Sequence, residues 1–153
     1  MATIARFEDL EVWQESRHLV KAVYAATSQG RLAGDFEMRD QMRRAALSTM
    51  TNSAEGFERG SNKDFAKFLN IVRGSAGEVR SLLYAALDLG FLDAAAFKLL
   101  KEQAESVSRR SSKLIQYLAT AAPASRPVTR NLPVASAETV SNLRTREPHD
   151  LKT

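Results

Sequence analysis

The segment from Phe97 to Leu118 limits the possible folds of this chain more than any other. Its apolar positions recur at alternating spacings of three and four residues, which places them on one stripe of an α-helix. A helix with such a coiled-coil-like seam must bury it against other helices. The stripe consists of Phe97, Leu100, Ala104, Val107, Ser111, Leu114 and Leu118.

Three other segments, residues 10–29, 35–57 and 61–89, show the same helical periodicity. The GRLAG sequence at residues 30–34 is predicted to be a break between the first two helices. The third stripe predicts core positions at Phe65, Phe68, Leu69, Val72, Ala76, Val79, Leu83 and Ala86, and Trp13 is predicted to be in the core of the first helix. The expected N-caps are Asp9, Asp35, Ser61 and Asp93, and the glycines expected to end helices are Gly56, Gly60 and Gly90.

Short connections force successive helices to reverse direction. The sequence therefore predicts an all-α fold, an antiparallel up-down-up-down four-helix bundle over residues 7–120. Beyond it, residues 121–153 contain all of the prolines and no aromatic residue. This composition predicts a disordered C-terminal tail that is dispensable for folding.

Composition excludes several classes of function. The chain has no cysteine, so thiol catalysis, disulfides and cysteine-ligated zinc are excluded. The net charge of +4 is shared equally between residues 1–120 and the tail. The predicted bundle therefore carries nearly equal numbers of positive and negative side chains and does not present a strongly basic surface. No apolar run is long enough to span a bilayer and the first residues lack the pattern of a signal peptide, so we expect a cytoplasmic protein without a membrane partner.

Six polar residues form one stripe on the second predicted helix, at spacings of three and four residues. One interpretation is a solvated face with a helix-stabilising Glu55–Arg59 pair. The other is a hydrogen-bonding network between helices or subunits, because three of the six residues are uncharged. This polar seam consists of Gln41, Arg44, Ser48, Asn52, Glu55 and Arg59.

Helix three can extend the polar seam. If the turn between helices two and three is centred near residues 59 and 60, the numbers of facing residues add up to about 119. Gln41 then faces Glu78, and Arg44 lies less than one turn from it. We therefore predict that Glu78 joins the seam by pairing with Arg44 or Gln41.

Evidence for catalysis or metal binding is sparse. Glu15 and His18 have the spacing of a di-iron ligand pair, but the only other histidine is His149, which has no acidic residue three positions before it. The sequence contains no phosphate-binding loop, and neither histidine lies near serine and aspartate residues that could form a catalytic triad with it. We therefore expect no metal, no cofactor and no catalytic residue, with an enzyme that uses Glu55, Arg59 and Glu78 as the alternative.

Two further groups of residues suggest binding. Gly74 and Gly77 face away from the predicted core of the third helix, and each glycine in a helix interior costs about 1 kcal/mol relative to alanine. Close approach by another subunit would compensate, so the predicted oligomer interface consists of Gly74, Gly77, Ile71, Leu47 and Leu89. A modest basic patch for RNA would consist of Arg43, Arg44, Lys63, Lys67 and Arg73, together with Arg39.

Four segments together resemble the bacterial four-helix-bundle proteins that are encoded within intervening sequences of large-subunit ribosomal RNA genes. The resemblance covers roughly residues 7–118. The segments are FEDLEVWQESRHLV, QMRRAALSTMTNSAEGFERGS, KDFAKFLNIVRGSAGE and LDLGFLD, and the most specific parts are Leu10–Trp13, Gln41–Ala46, Asn52–Arg59, Gly74, Ser75 and Glu78.

The resemblance implies the same bundle fold, commonly as a homopentamer. It also implies similarity in fold to accessory proteins of reverse transcriptases in diversity-generating retroelements. Thr49 and Ser53 stand where members of the family usually carry large aliphatic residues, and their hydroxyls are expected to bond back to the carbonyl four residues earlier.

Together with the residues, the resemblance leads us to expect a non-enzymatic, self-assembling binding or scaffold protein. An RNA-binding protein or a reverse-transcriptase accessory protein is the second hypothesis, and an enzyme is the third.

Overall fold

The computed structural model describes residues 3–121 and 130–131. The described chain is almost entirely helical, which confirms the predicted all-α class. A 3-10 turn, Phe7–Asp9, precedes the first long helix. Five α-helices follow in this order: α1 Glu11–Thr27, α2 Gly30–Gly34, α3 Phe36–Glu58, α4 Asn62–Asp88 and α5 Ala94–Thr120.

The four long helices pack in a ring, because α1 and α4 each contact both α3 and α5. Residue pairs across the contacts show their directions. Ser48 of α3 meets Ser75 of α4, whereas Phe57 near the end of α3 meets Phe65 near the start of α4, so these two helices run antiparallel. The pairing of α1 with α5 is also antiparallel, because Glu11 lies near Arg110 while Glu15 lies near Ser106.

Side-chain caps begin three of the helices as predicted. Asp35, Ser61 and Asp93 each accept a hydrogen bond from the backbone N–H three residues later, at 2.8–3.0 Å. The prediction for Asp9 is wrong, because this residue lies in the 3-10 turn and α1 follows Leu10 without a side-chain cap. Gly60 has a positive φ of 85°, consistent with its predicted place beyond a helix end.

Residues 30–34 separate α1 from α3 as predicted, but they form the short helix α2, which the sequence did not predict. Leu32 is fully buried in the core, and removing its side chain from water stabilises the folded segment. The two glycines of the segment give no sign of this burial in the sequence. The Arg39 guanidinium donates to the Ala33 carbonyl at 3.2 Å, and Arg31 of α2 lies 5.0 Å from the Phe91 ring centroid. These contacts hold α2 across one end of the bundle.

The core is built from the predicted stripes. Seven of the eight predicted α4 positions are buried, and Phe68 is half-buried. Trp13 is also half-buried, and its ring makes an edge contact with Phe7 at 5.3 Å between centroids. The predicted stripes therefore identify the buried faces of the long helices.

All five buried polar side chains of the described residues are serine or threonine. Each donates to a carbonyl of its own helix at 2.7–2.9 Å, so none depends on another helix for a hydrogen bond. Thr49 and Ser53 bond to the carbonyl three residues earlier and not four, because a rotated hydroxyl can reach either carbonyl. The five residues are Ser16, Thr27, Thr49, Ser53 and Ser111.

Most of the predicted disordered tail, residues 121–153, lies outside the described residues. Two of its residues form strand β2, Arg130–Asn131, which pairs antiparallel with strand β1, Thr3–Ile4. The sequence analysis did not predict this pair. Within the described part of the chain, no helix has the length and hydropathy of a membrane span.

Candidate functional site

The centre of the polar seam joins α3 to α4. The Ser48 and Ser75 hydroxyls lie 2.8 Å apart, and the Asn52 amide donates to both the hydroxyl and the carbonyl of Ser48 at 2.9 Å. All three side chains are half-buried. The interpretation of the seam as an interhelix network therefore holds for this part of it.

The outer end of the seam is a solvated pair, as the alternative interpretation expected. Arg59 donates to Glu55 at 2.8 Å, and more than half of each side chain is exposed. This hydrogen bond raises the pKa of Arg59 above its usual value. The guanidinium also lies 5.2 Å from the Phe68 ring centroid, so the pair covers an aromatic residue of α4.

The predicted register between α3 and α4 is wrong by about one helical turn. The numbers of facing residues add up to 122–124, because α3 continues to Glu58 and α4 begins at Asn62. This shift places Glu78 opposite Ala45, at the level of Arg44 and away from Gln41. Among the described residues, Glu78 forms no ion pair with Arg44, so the predicted pairing is also wrong.

Gly56 allows α3 and α4 to come close together. It was predicted to end the second helix, but it lies inside α3 and is buried. A Cβ at this position would lie 2.5 Å from Phe68 Cβ and 3.0 Å from Phe65 Cδ2. The spacing in the sequence could have indicated this close contact. Gly56 follows Ser48 and Asn52 at intervals of four residues, so all three lie on the side of α3 that faces α4.

The residues of the predicted oligomer interface are exposed to different extents. Ile71 and Leu89 are about half exposed, at 48% and 52%, and Leu47 is 38% exposed. No atom lies within 4 Å of a Cβ built on Gly74 or on Gly77. Neither glycine is therefore required by packing within one chain.

The residues of the predicted RNA patch do not form one surface. Arg43 binds α1: it donates to Thr27 at 2.8 Å and to Ser28 at 3.0 Å, and it stacks over Tyr24 at 4.4 Å. Its main role in the fold is to hold α1 against α3. The other predicted residues, Arg44, Lys63, Lys67 and Arg73, are exposed. Lys63 and Lys67 share one face of α4, but Arg73 is turned away from them by about a quarter of a turn or more, and Arg44 belongs to α3.

A second polar row joins α1 to α5. Ser106 donates to Glu15 at 3.2 Å and accepts from Arg110 at 3.0 Å, while Arg110 lies 4.0 Å from Glu11. Glu15, predicted as half of a possible metal pair, is thus bound to a hydroxyl. The described residues contain no group of three or more histidine, aspartate or glutamate side chains placed to hold a metal ion.

A shallow groove of about 330 Å³ lies between the start of α4 and the end of α5. It is mostly apolar, and the residues of the alternative enzyme hypothesis, Glu55, Arg59 and Glu78, do not line it. The groove is lined by Asn62, Lys63, Ala66, Ile115, Leu118, Ala119 and Ala121.

The family described as 23S rRNA-intervening sequence protein matches the chain over residues 8–113. No curated protein matches the chain. The family match covers all four long helices, ending within α5.

Proposed function

The chain belongs to the 23S rRNA-intervening sequence protein family, and we propose that it is a non-enzymatic, self-assembling helical bundle that serves as a binding scaffold. The observation that carries this proposal is the outward face of α4 around Gly74. A glycine inside an exposed helix costs about 1 kcal/mol relative to alanine, and no contact among the described residues requires it here. A second copy that packs closely against α4 would supply the compensation.

The surroundings of Gly74 support an interface. Ile71 and Leu89 lie on the same outer side of α4, and each leaves about half of its side chain exposed in a single chain. Burying both against another copy would remove apolar surface from water. Glu78 lies on the same face and would sit at the edge of the contact.

The resemblance to proteins that form homopentamers makes five copies the expected number. A cytoplasmic location is part of this proposal, and the chain is compatible with it because it has no cysteine and needs no disulfide in order to fold. In this proposal the assembled bundles present several copies of one binding surface, which strengthens weak binding to a multivalent partner.

The test is light scattering on the wild-type chain and on Gly74→Leu. We expect the wild type to be an oligomer, and the variant to be monomeric while circular dichroism shows unchanged helix content. Ala25→Leu is the matched control, because it adds the same side chain on an exposed position of α1 and should leave the assembly intact. A monomeric wild type, or an intact oligomer in Gly74→Leu, would contradict the proposal.

A further inference from the structure

One stripe of α4 carries two arginines and an aromatic ring at helical spacing. Arg73, Gly77, Arg80 and Tyr84 follow one another at intervals of four, three and four residues and so share one side of the helix. This side borders α5, because the Tyr84 ring contacts the Phe97 ring at 4.9 Å between centroids. The four residues therefore line the outer groove between α4 and α5.

Arg80 is a half-buried cation without a counter-ion. Its Nε atom is buried and has no hydrogen-bond partner among the described residues, and no described carboxylate pairs with it. A guanidinium carries five N–H donors, and a buried donor without a partner is unfavourable. An anionic ligand in the groove would bind the two terminal nitrogens of this guanidinium and balance its charge.

The facing side of α5 leaves the groove open to an anion. Ser108 and Ser112 lie opposite Arg73 in the register set by the Tyr84–Phe97 contact. Lys101 lies near Tyr84, with its Nζ atom 6.0 Å from the ring centroid. Acidic residues near this stripe include Glu105, which lies 3.5 Å from Lys101, and Asp88, which is exposed one turn after Tyr84 on α4. Neither forms an ion pair with Arg73 or Arg80 among the described residues.

At one end of the outer groove lies the aromatic ring of Tyr84, and its exposed part can stack against a ligand. Tyr84 is 49% exposed, and its contact with Phe97 fixes its orientation. At the opposite end of α4, Lys63 lines the shallow apolar groove. Between the two arginines, Gly77 has no atom within 4 Å of a built Cβ, so a ligand backbone can approach the helix closely there.

We propose that the outer α4/α5 groove binds single-stranded nucleic acid. Arg73 and Arg80, about 10 Å apart along the helix, bind backbone phosphates, and a base stacks on Tyr84. An acidic peptide would use the same arginines but would gain little from a fixed, exposed aromatic ring. This binding does not depend on self-assembly, because the groove is built from two helices of one chain.

The experiment measures fluorescence anisotropy of a labelled twelve-nucleotide oligouridine at several salt concentrations. Its deoxythymidine counterpart tests whether the ligand must be RNA, and binding of either strand supports the site. We compare the wild type with Arg73→Gln/Arg80→Gln. The control pair is Arg17→Gln/Lys21→Gln, which removes the same charge from exposed positions of α1.

We expect the groove pair to weaken binding about tenfold or more and the α1 pair to change it less than about twofold. Log affinity falls as log salt rises, and each phosphate contact that is lost should make this slope shallower by about 0.7. Tyr84→Ala should weaken binding about fivefold or more without changing that slope. If Arg80 proves necessary for folding, the exposed Arg73→Gln change alone gives the same comparison.

Four results would overturn the proposal. They are absence of binding to both single strands, equal losses in the groove and control pairs, binding of a blunt duplex as tight as that of single strands, and competition by polyglutamate as effective as that by oligouridine. The last result would assign the groove to an acidic polypeptide. Gly74→Leu should retain the affinity of a single site, so failure of assembly and failure of nucleic-acid binding are distinguishable.

Discussion

Replacing Gly56 with alanine tests how closely α3 and α4 pack. The new Cβ would lie 2.5 Å from Phe68 Cβ, whereas carbon atoms in contact prefer about 3.5–4.0 Å. The helices would have to separate locally by about 1 Å, because the Phe68 Cβ is fixed to its backbone and cannot rotate away. Overpacking of this kind costs about 1–3 kcal/mol, and the rigid contact places Gly56→Ala in the upper half of that range.

Alanine also has the better helix propensity, which offsets about 1 kcal/mol. We therefore expect Gly56→Ala to lower the free energy of unfolding by about 1–2 kcal/mol, and to lower the urea midpoint by about 0.5–1 M. The matched control is Gly77→Ala, where no atom lies within 4 Å of the added Cβ. It should raise stability by up to about 1 kcal/mol.

Urea unfolding followed by circular dichroism measures both variants. The curves should be recorded at two protein concentrations, because any contribution from assembly appears as a shift with concentration. The reasoning is refuted if Gly56→Ala is as stable as Gly77→Ala, since the two substitutions differ only in what the new methyl group meets.

Three other substitutions test single contacts. Ser75→Ala should cost about 0.5–1.5 kcal/mol in urea unfolding, and a double-mutant cycle with Ser48→Ala should be non-additive because the two hydroxyls bond to each other. Arg43→Met should cost about 1–3 kcal/mol in thermal unfolding, because it loses two hydrogen bonds and an aromatic stack; an unchanged melting temperature would contradict this. A hydrogen bond from Arg6 lowers the pKa of Glu8 in the folded chain, so Arg6→Ala should raise that pKa in an NMR titration. Ionised Glu8 favours folding at neutral pH and loses this effect as the pH falls through its folded pKa, and a pKa unaffected by the substitution would show that the pair does not form in solution.

The sequence predicted most of the fold because helical periodicity is a local property. The stripes on α4 and α5 identify buried faces wherever the helices dock, and the caps at Asp35, Ser61 and Asp93 depend only on residues three positions apart. The first helix begins within one residue of the predicted start, but its cap was predicted wrongly at Asp9 because a chain can begin a helix without a side-chain cap.

The parts that failed depend on tertiary contacts. Helix α2 contacts α1 and α3, and its Leu32 is fully buried, whereas its own glycines argue against a helix. The prediction of a helix end at Gly56 is wrong, because a glycine required for its missing Cβ looks the same in sequence as one required for a positive φ. Locating the turn two residues too early placed Glu78 opposite Gln41 and not opposite Ala45, because facing positions shift by twice that error.

The polar seam shows the same limit. Its spacing showed that Ser48, Asn52 and Arg59 share one stripe, but not which of them another helix would cover. The structure divides the stripe into a half-buried hydrogen-bonded part and an exposed ion pair. Arg80 was missed altogether, because an arginine in sequence gives no sign that it will lack a carboxylate partner.

The buried hydroxyls have a consequence for the order of folding events. Because each already bonds within its own helix, a helix can dock without waiting for a polar partner elsewhere. Helices α3, α4 and α5 are neighbours in sequence and close short loops, whereas the α1/α5 contact joins distant parts of the chain and carries the larger loop-closure entropy. We expect α1 and α5 to meet last, so substitutions such as Ser106→Ala should accelerate unfolding more than they slow folding.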